Sequence, residues 1–152
     1  MQQAHVDTPF GTLCLTEISG AITKVEWARA RFDQATDLLC EAKRQLQAYC
    51  AGDLTEFDLP LRVEGHDLQR SVCAAMRAIP FGQTRTYGEI AREVGASAQA
   101  VGQACGGNPI PVIIPCHRVM GAGGRLVGFS GAGGVETKVA LLRHEGAAGL
   151  LI

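Results

Sequence analysis

Cys116 and His117 stand side by side in the stretch NPIPVIIPCHRV, residues 108–119. A thiolate is a strong nucleophile, but an unperturbed thiol, with pKa ~8.5, is mostly protonated at neutral pH. Chemistry at Cys116 therefore needs a base or a positive field beside it. His117 is the nearest base in the chain. Adjacent side chains of an extended strand point to opposite faces, so the imidazole reaches the thiol only through a turn or a bridging water. Pro115 and a break after the "VII" strand supply such a turn. A Cys–His pair also needs a carboxylate to orient the ring. Glu145, Asp67 and Glu89 are the candidates, and pattern does not choose among them. The other cysteines, at 14, 40, 50, 73 and 105, form no C-x-x-C pair with it or with one another. Neither a zinc knuckle nor a thioredoxin motif is encoded, and these thiols read as small core hydrophobes.

The elements that must hold this pair follow from periodicity. "GTLCLTEISGAITKVEWA" alternates apolar and polar residues around the turn "SG". Leu13, Leu15, Ile22, Val25 and Trp27 predict strands of a small antiparallel sheet. Leu38, Leu39, Ala42, Leu46, Tyr49 and Cys50 recur at helical spacing and predict a helix ending near Gly52. "TEFDLPL" returns to alternation, with Phe57, Leu59 and Leu61 on one side. Residues 1 to about 62 thus read as a small α+β lobe without a clustered polar constellation.

The remainder, residues 63–152, reads as mostly helical. Leu68, Val72, Met76 and Ile79 form one stripe, ended by "PFG". Thr86-Tyr87-Gly88-Glu89 is a capping-box pattern that opens a helix burying Ile90, Ala91 and Val94 and stopping at Gly95. Ser97 caps a second short helix running through Cys105 to Gly106-Gly107. Two short helices joined by a tight glycine turn have the form of a helix-turn-helix, a form shared with ordinary helical hairpins. The second helix displays small residues, Ala98, Ala100 and Gly102, which permit close backbone approach to a groove or to another helix. "MGAGGRLVGFSGAGG" holds seven glycines. It lacks the third glycine and the distant acidic residue of a dinucleotide loop, so it reads as a loop that bends around a flat ligand. The last helix is predicted to bury Val135, Val139 and Leu142 and to end at "RHEG".

Bulk numbers exclude other classes. Hydrophobic residues are 47% and charged residues 19% of the 152, a globular mixture. The net charge of −1 gives no global basic field for nucleic acid, though a local patch suffices for binding. No apolar run is long enough to span a membrane, and "MQQAHVDTPF" lacks a signal-peptide layout. A cytoplasmic protein is expected.

Ile114-Pro115-Cys116-His117-Arg118-Val119 resembles the active-site signature of the O6-alkylguanine-DNA alkyltransferases. These DNA repair proteins transfer an alkyl group to their own cysteine. "IPFGQTRTYGEIA", "VGQACGGNPIPVIIPCHRV" and "GFSG…LLRHEG" stand in the family's order and spacing, so residues 68 to 146 resemble it closely. The resemblance implies an α+β protein with an RNase H-like lobe over 1–62 and a DNA-binding, alkyl-transfer domain over 63–152. Cys116 would accept the alkyl group, and His117 would deprotonate it through a water. Glu145 would orient His117, and Asn108 would tie the helix-turn-helix to the active-site strand. Tyr87 would crowd the target phosphate and donate a proton to the departing guanine. Pro111, Val119, Phe129, Ser130 and Gly131 would form the base and alkyl pocket. Ala98, Gln99, Ala100, Gly102 and Arg118 would contact double-stranded DNA in the minor groove, with the alkylated guanine flipped out. The reaction needs no metal and no cofactor, O4-alkylthymine is a second expected substrate, and a monomer is expected.

Three positions depart from the family pattern. Gln99 stands where an arginine is usual, Cys73 where a tryptophan is usual, and Leu68 where a phenylalanine is usual. Gln99 implies weaker DNA binding or flipping. It leaves room for an alternative, a lesion sensor or a protein acting on a different alkylated substrate.

Overall fold

The computed structural model describes residues 1–126 and 134–147. The chain divides into two compact units, Met1–Glu64 and Gly65–Ile152. It is an α+β protein, as the alternation and helical stripes led one to expect.

The first unit is built on a three-stranded antiparallel sheet of β1 (Gln2–Thr8), β2 (Gly11–Ile18) and β3 (Ala21–Trp27), in that order. Ser19 and Gly20 make the β2–β3 turn with φ of 50° and 79°. Positive φ at both central residues matches the twist of the flanking strands. The first strand was not anticipated. Only Ala4 and Val6 mark its buried face, too few to show a period, yet both are buried opposite Leu15 and Leu13. Helix α1 (Asp37–Cys50) is capped by the Thr36 hydroxyl, which accepts from the Leu39 amide at 3.1 Å. It packs on β1 and β2 through Leu39, Ala42, Leu46 and Tyr49.

The alternating run "TEFDLPL" is not a strand. Pro60 lacks an amide hydrogen, so it cannot continue a ladder. The segment is instead tied at single points: Ile22 N–H donates to the Pro60 carbonyl at 2.8 Å, and Arg62 N–H to Ile22 at 3.0 Å. Gln45, buried among the apolar residues of α1, exchanges two hydrogen bonds with the Asp58 backbone, at 2.9 and 3.0 Å.

The second unit contains α2 (Asp67–Arg77), α3 (Tyr87–Val94), α4 (Ala98–Gly106) and α5 (Val135–His144). Two short parallel strands, β4 (Arg85–Thr86) and β5 (Val119–Met120), join them. The Thr86–Glu89 capping box forms: Glu89 N–H donates to Thr86 Oγ1 at 3.1 Å, and Thr86 N–H to the Glu89 carboxylate at 2.9 Å. Gly95 ends α3 in the left-handed region, and Ser97 Oγ caps α4 by accepting from Ala100 N–H at 3.1 Å. Helices α3 and α4 pack on each other and both on α2. Val101, Ala104 and Cys105 of α4 are buried, while Ala98, Gln99 and Gln103 are exposed.

Two expectations about this unit are corrected. The "VII" run is not a strand: Val112 has φ of 71°, and Ile114 N–H turns back to the Ile110 carbonyl at 2.8 Å. The buried face of α5 is also rotated from the expected one. Val135 is 42% exposed and Val139 half-buried, whereas Lys138, Leu141 and Leu142 are buried.

Candidate active site

Cys116 opens a single turn of 3-10 helix, Cys116–Arg118, entered from Pro115. That turn lets the neighbours Cys116 and His117 escape the opposite-face geometry of a strand. Both are buried, Cys116 at 8% exposure and His117 at 0%.

Of the three candidate carboxylates, Glu145 is the one at His117. It follows α5 and accepts from His117 Nε2 at 2.8 Å, a buried contact at both ends. Asp67 pairs with Arg70 on α2, and Glu89 caps α3. Glu145 also takes a two-pronged contact from Arg118, with Nε at 2.8 Å and Nη2 at 2.9 Å. Arg118 Nη1 donates to the Ile79 carbonyl at 2.6 Å. Arg118 had been expected at the DNA surface. Its guanidinium is turned inward instead, because two carboxylate oxygens and a carbonyl match its rigid fork of donors.

The electrostatics divide the labour. Burial pushes the His117 imidazole below its ordinary value, against the opposing pull of Glu145, so the ring is neutral at neutral pH. With Nε2 on the carboxylate, Nδ1 is the free basic atom, and it has no hydrogen-bond partner among the described residues. Burial pushes the Cys116 thiol up, and a hydrogen bond from the Asn108 side chain and the charge of Lys138 pull it back. Tyr87, at the head of α3, is pushed up to about 12 by burial and by the neighbouring thiols Cys105 and Cys116. It keeps its proton and is a donor.

Asn108 holds the loop that precedes the turn. Its Nδ2 donates to the Ile114 carbonyl at 2.9 Å, and its Oδ1 accepts from Ile110 N–H at 3.0 Å. Val119 is buried at the start of β5; its N–H donates to the Cys116 carbonyl, which uses one of that oxygen's two lone pairs. Pro111 is half-buried on the same loop. The expected pocket residues Phe129, Ser130 and Gly131 lie outside the described residues. Ala98 and Gln99 at the start of α4 are exposed, and Ala100 and Gly102 are half-buried.

Lys138 was missed. It is fully buried, donates from Nζ to the Val119 carbonyl at 2.5 Å, and lies 5.9 Å from the centre of the Tyr87 ring. Burial holds its ammonium below the ordinary lysine value, and Cys116 and Cys105 pull it back. A signal existed. Lys138, Leu141, Leu142 and Glu145 share one helical face, and charges on an apolar stripe ask for a reason. Gln69, also missed, is buried on α2 beside Cys73.

Residues 67–147 match the family model described as "6-O-methylguanine DNA methyltransferase, DNA binding domain". A Methanosarcina acetivorans protein named methylated-DNA--protein-cysteine methyltransferase is 51% identical over 96% of this chain and 99% of its own length. The chain belongs to this methyltransferase family. Its Mycobacterium tuberculosis members include one that is 44% identical over 92% of this chain and 89% of its own length. The crystal structure of Mycobacterium tuberculosis OGT in complex with DNA superposes with a TM-score of 0.85, at 43% identity, covering 96% of this chain and 93% of that one. The methyltransferase family name therefore falls on a chain in which a buried thiol, Cys116, shares one turn with an imidazole bonded to a buried carboxylate.

Proposed function

We propose that this protein repairs DNA by direct reversal, moving one alkyl group irreversibly from O6-alkylguanine, and also from O4-alkylthymine, to the Cys116 sulfur. The observation that carries this reading is the buried His117–Glu145 pair in the same turn as Cys116, in a chain that matches methylated-DNA--protein-cysteine methyltransferases along nearly its whole length.

The Cys116 proton leaves first, through a water to His117 Nδ1, and Glu145 steadies the imidazolium that forms. The thiolate attacks the alkyl carbon in line; the new C–S bond forms as the C–O6 bond breaks. The electron pair goes to the guanine oxygen, and Tyr87 gives the departing base a proton. Thiolate is a poor leaving group from a neutral thioether, so each molecule acts once. The carbonyls of Cys116 and Val119 accept from the guanine edge, beside Pro111.

A base inside a duplex is out of reach, so flipping costs a few kcal/mol before transfer. Helix α4 supports this step. It offers Ala98, Ala100 and Gly102 to a minor groove, with Gln99 in the vacated stack. Glutamine carries no charge, so affinity is modest and its salt dependence shallow. The protein acts as a monomer.

Intact mass after incubation with an O6-methylguanine duplex tests the reading. One methyl gained on Cys116, and none on Cys116→Ala, is the expected result. Guanine release without a mass gain would replace transfer by hydrolysis. Gln99→Arg is expected to bind duplex more tightly and repair it faster; an equal or slower rate would remove Gln99 from the flipping step.

A further inference from the structure

Cys73 is a buried thiol on α2 that the transfer mechanism above does not use. Its surroundings are organised. Gln69, one helical turn earlier on the same face, spends its side-chain amide on two acceptors, the Ala104 carbonyl at 2.7 Å and Cys73 Sγ at 3.6 Å. Ala104 lies in α4, so Gln69 is anchored from outside its own helix. With a donor occupying the sulfur lone pair, the Cys73 S–H is left to point elsewhere. The acceptor in its path is Asn108 Oδ1, 4.0 Å from the sulfur.

Asn108 has four hydrogen-bonding positions, two donors on nitrogen and two acceptors on oxygen. Its oxygen faces Ile110 N–H and Cys73. Its nitrogen faces the Ile114 carbonyl, and its side chain also bonds the Cys116 sulfur. Turned over, the amide would set its nitrogen against two donors and its carbonyl against the nucleophile.

We propose that Cys73 is a positioning residue for alkyl transfer: held by Gln69, its thiol fixes and polarises the Asn108 amide so that an amide N–H, not the carbonyl, faces Cys116. This rests on the reading that Cys116 is the alkyl acceptor. A donor on Oδ1 strengthens the N–H donors of the same amide, because hydrogen bonds in a chain polarise one another. The stronger donor favours the thiolate over the thiol. Sulfur contacts of 3.6–4.0 Å are individually weak, so the effect is a tuning of reactivity. The other groups that interact with Cys116 are Lys138 from α5, Cys105 from α4 and Tyr87 from α3, and Cys73 itself, once ionised at alkaline pH, would push Cys116 up. Cys105 interacts with Cys73 as well as with Cys116.

The test is the pH dependence of Cys116 capture by iodoacetamide, resolved from the other thiols by peptide mass mapping. The parent is compared with Cys73→Val, which stays apolar, adds one carbon and loses the donor, and Cys73→Ser, which keeps a donor. Cys73→Val is expected to raise the pH midpoint by about half a unit, a roughly three-fold slower capture at neutral pH. The limiting rate at alkaline pH should be unchanged. Cys73→Ser should keep the parent's midpoint. A parental midpoint in Cys73→Val overturns the proposal, as does a Cys73→Ser midpoint displaced as far as that of Cys73→Val, since packing alone would then explain both. If Cys73→Val does not fold, Cys73→Ala takes its place under the same criteria. Methyl transfer from the duplex to the parent is measured alongside. No transfer to the parent sinks the Cys116 reading; transfer with an unmoved Cys73→Val profile sinks only the role of Cys73.

Discussion

Both units carry ion pairs on the surface, but among the described residues only the second buries charge. In Met1–Glu64 the ion pairs lie on the surface: Lys24 with Glu26 at 3.1 Å, Arg29 with Asp7 at 3.3 Å, Arg44 with Glu41 at 2.6 Å. In the second unit Arg118, Glu145, His117 and Lys138 are all buried. Surface pairs are screened and add little. Buried ones cost desolvation that their mutual attraction scarcely offsets, so apolar residues of similar volume would often hold the fold as well. Under the proposed function, that cost at Arg118, Glu145 and Lys138 is accounted for by the reaction at Cys116. The lobe's buried polar groups, such as Gln45 on Asp58, are neutral and tie backbone to backbone.

The contrast predicts unequal responses, and the largest belongs to Glu145. Glu145→Gln keeps the shape and removes the charge shared by His117 and Arg118. Breaking a buried pair costs ~3–5 kcal/mol, so helical circular dichroism, dominated by the second unit, should melt much earlier. Fluorescence of Trp27, the sole tryptophan, reports the lobe. If Glu145→Gln melts like the parent, the buried network is not what holds the second unit together.

Lys138→Met comes next. Removing the ammonium leaves hydrogen bonds alone, that of Asn108 first, to oppose burial at Cys116, and one unit of acidity is about a factor of ten in thiolate. Transfer should slow roughly ten-fold near neutral pH and recover as pH rises. A loss that does not recover would mean that Lys138 serves only to hold the Val119 carbonyl.

Alkaline pH gives a third, smaller response. Cys105 is pushed from 9.0 up to about 12, mainly by burial, and Tyr87 from 10.0 up to about 12. Between those limits the unfolded chain releases protons that the folded unit keeps, so stability falls as pH rises. Lys138 is held below its ordinary 10.5 and acts in the opposite sense until the unfolded lysine has titrated. The fall should therefore be steepest above about pH 10.5. A melting temperature flat across this range would contradict the burial of these groups.

The smallest response belongs to the lobe. Arg44→Ala removes an exposed i,i+3 pair. Both the melting temperature and the transfer rate should match the parent, and a measurable change in transfer would bring the lobe's surface into the reaction.

What could be read beforehand followed from local rules. The capping box at Thr86, the cap at Ser97 and the stop at Gly95 are decided within four residues, and each forms as expected. Cys116 and His117 were legible as a candidate pair because a thiol stands directly beside a base. What escaped was decided by distant partners. β1 is a strand because β2 pairs with it, not because its own residues insist. The "VII" run has strand composition, but Asn108 and a left-handed Val112 fold it into a loop. Arg118 looked like a surface cation until Glu145, 27 residues away, claimed it. Lys138 sat on an apolar stripe whose rotation became visible only once α5 was packed.

Helix α5 carries Lys138 in its second turn, with Glu145 directly after its last residue. Seven residues of helix are a strut of about 10 Å, with the cation of the site at one end and the anion at the other. The strut makes the two charges mechanically inseparable. A tilt or partial unwinding would withdraw the field on the thiol and the brace on the imidazole together, so heat or strain should switch the protein off in one step instead of dimming it by degrees.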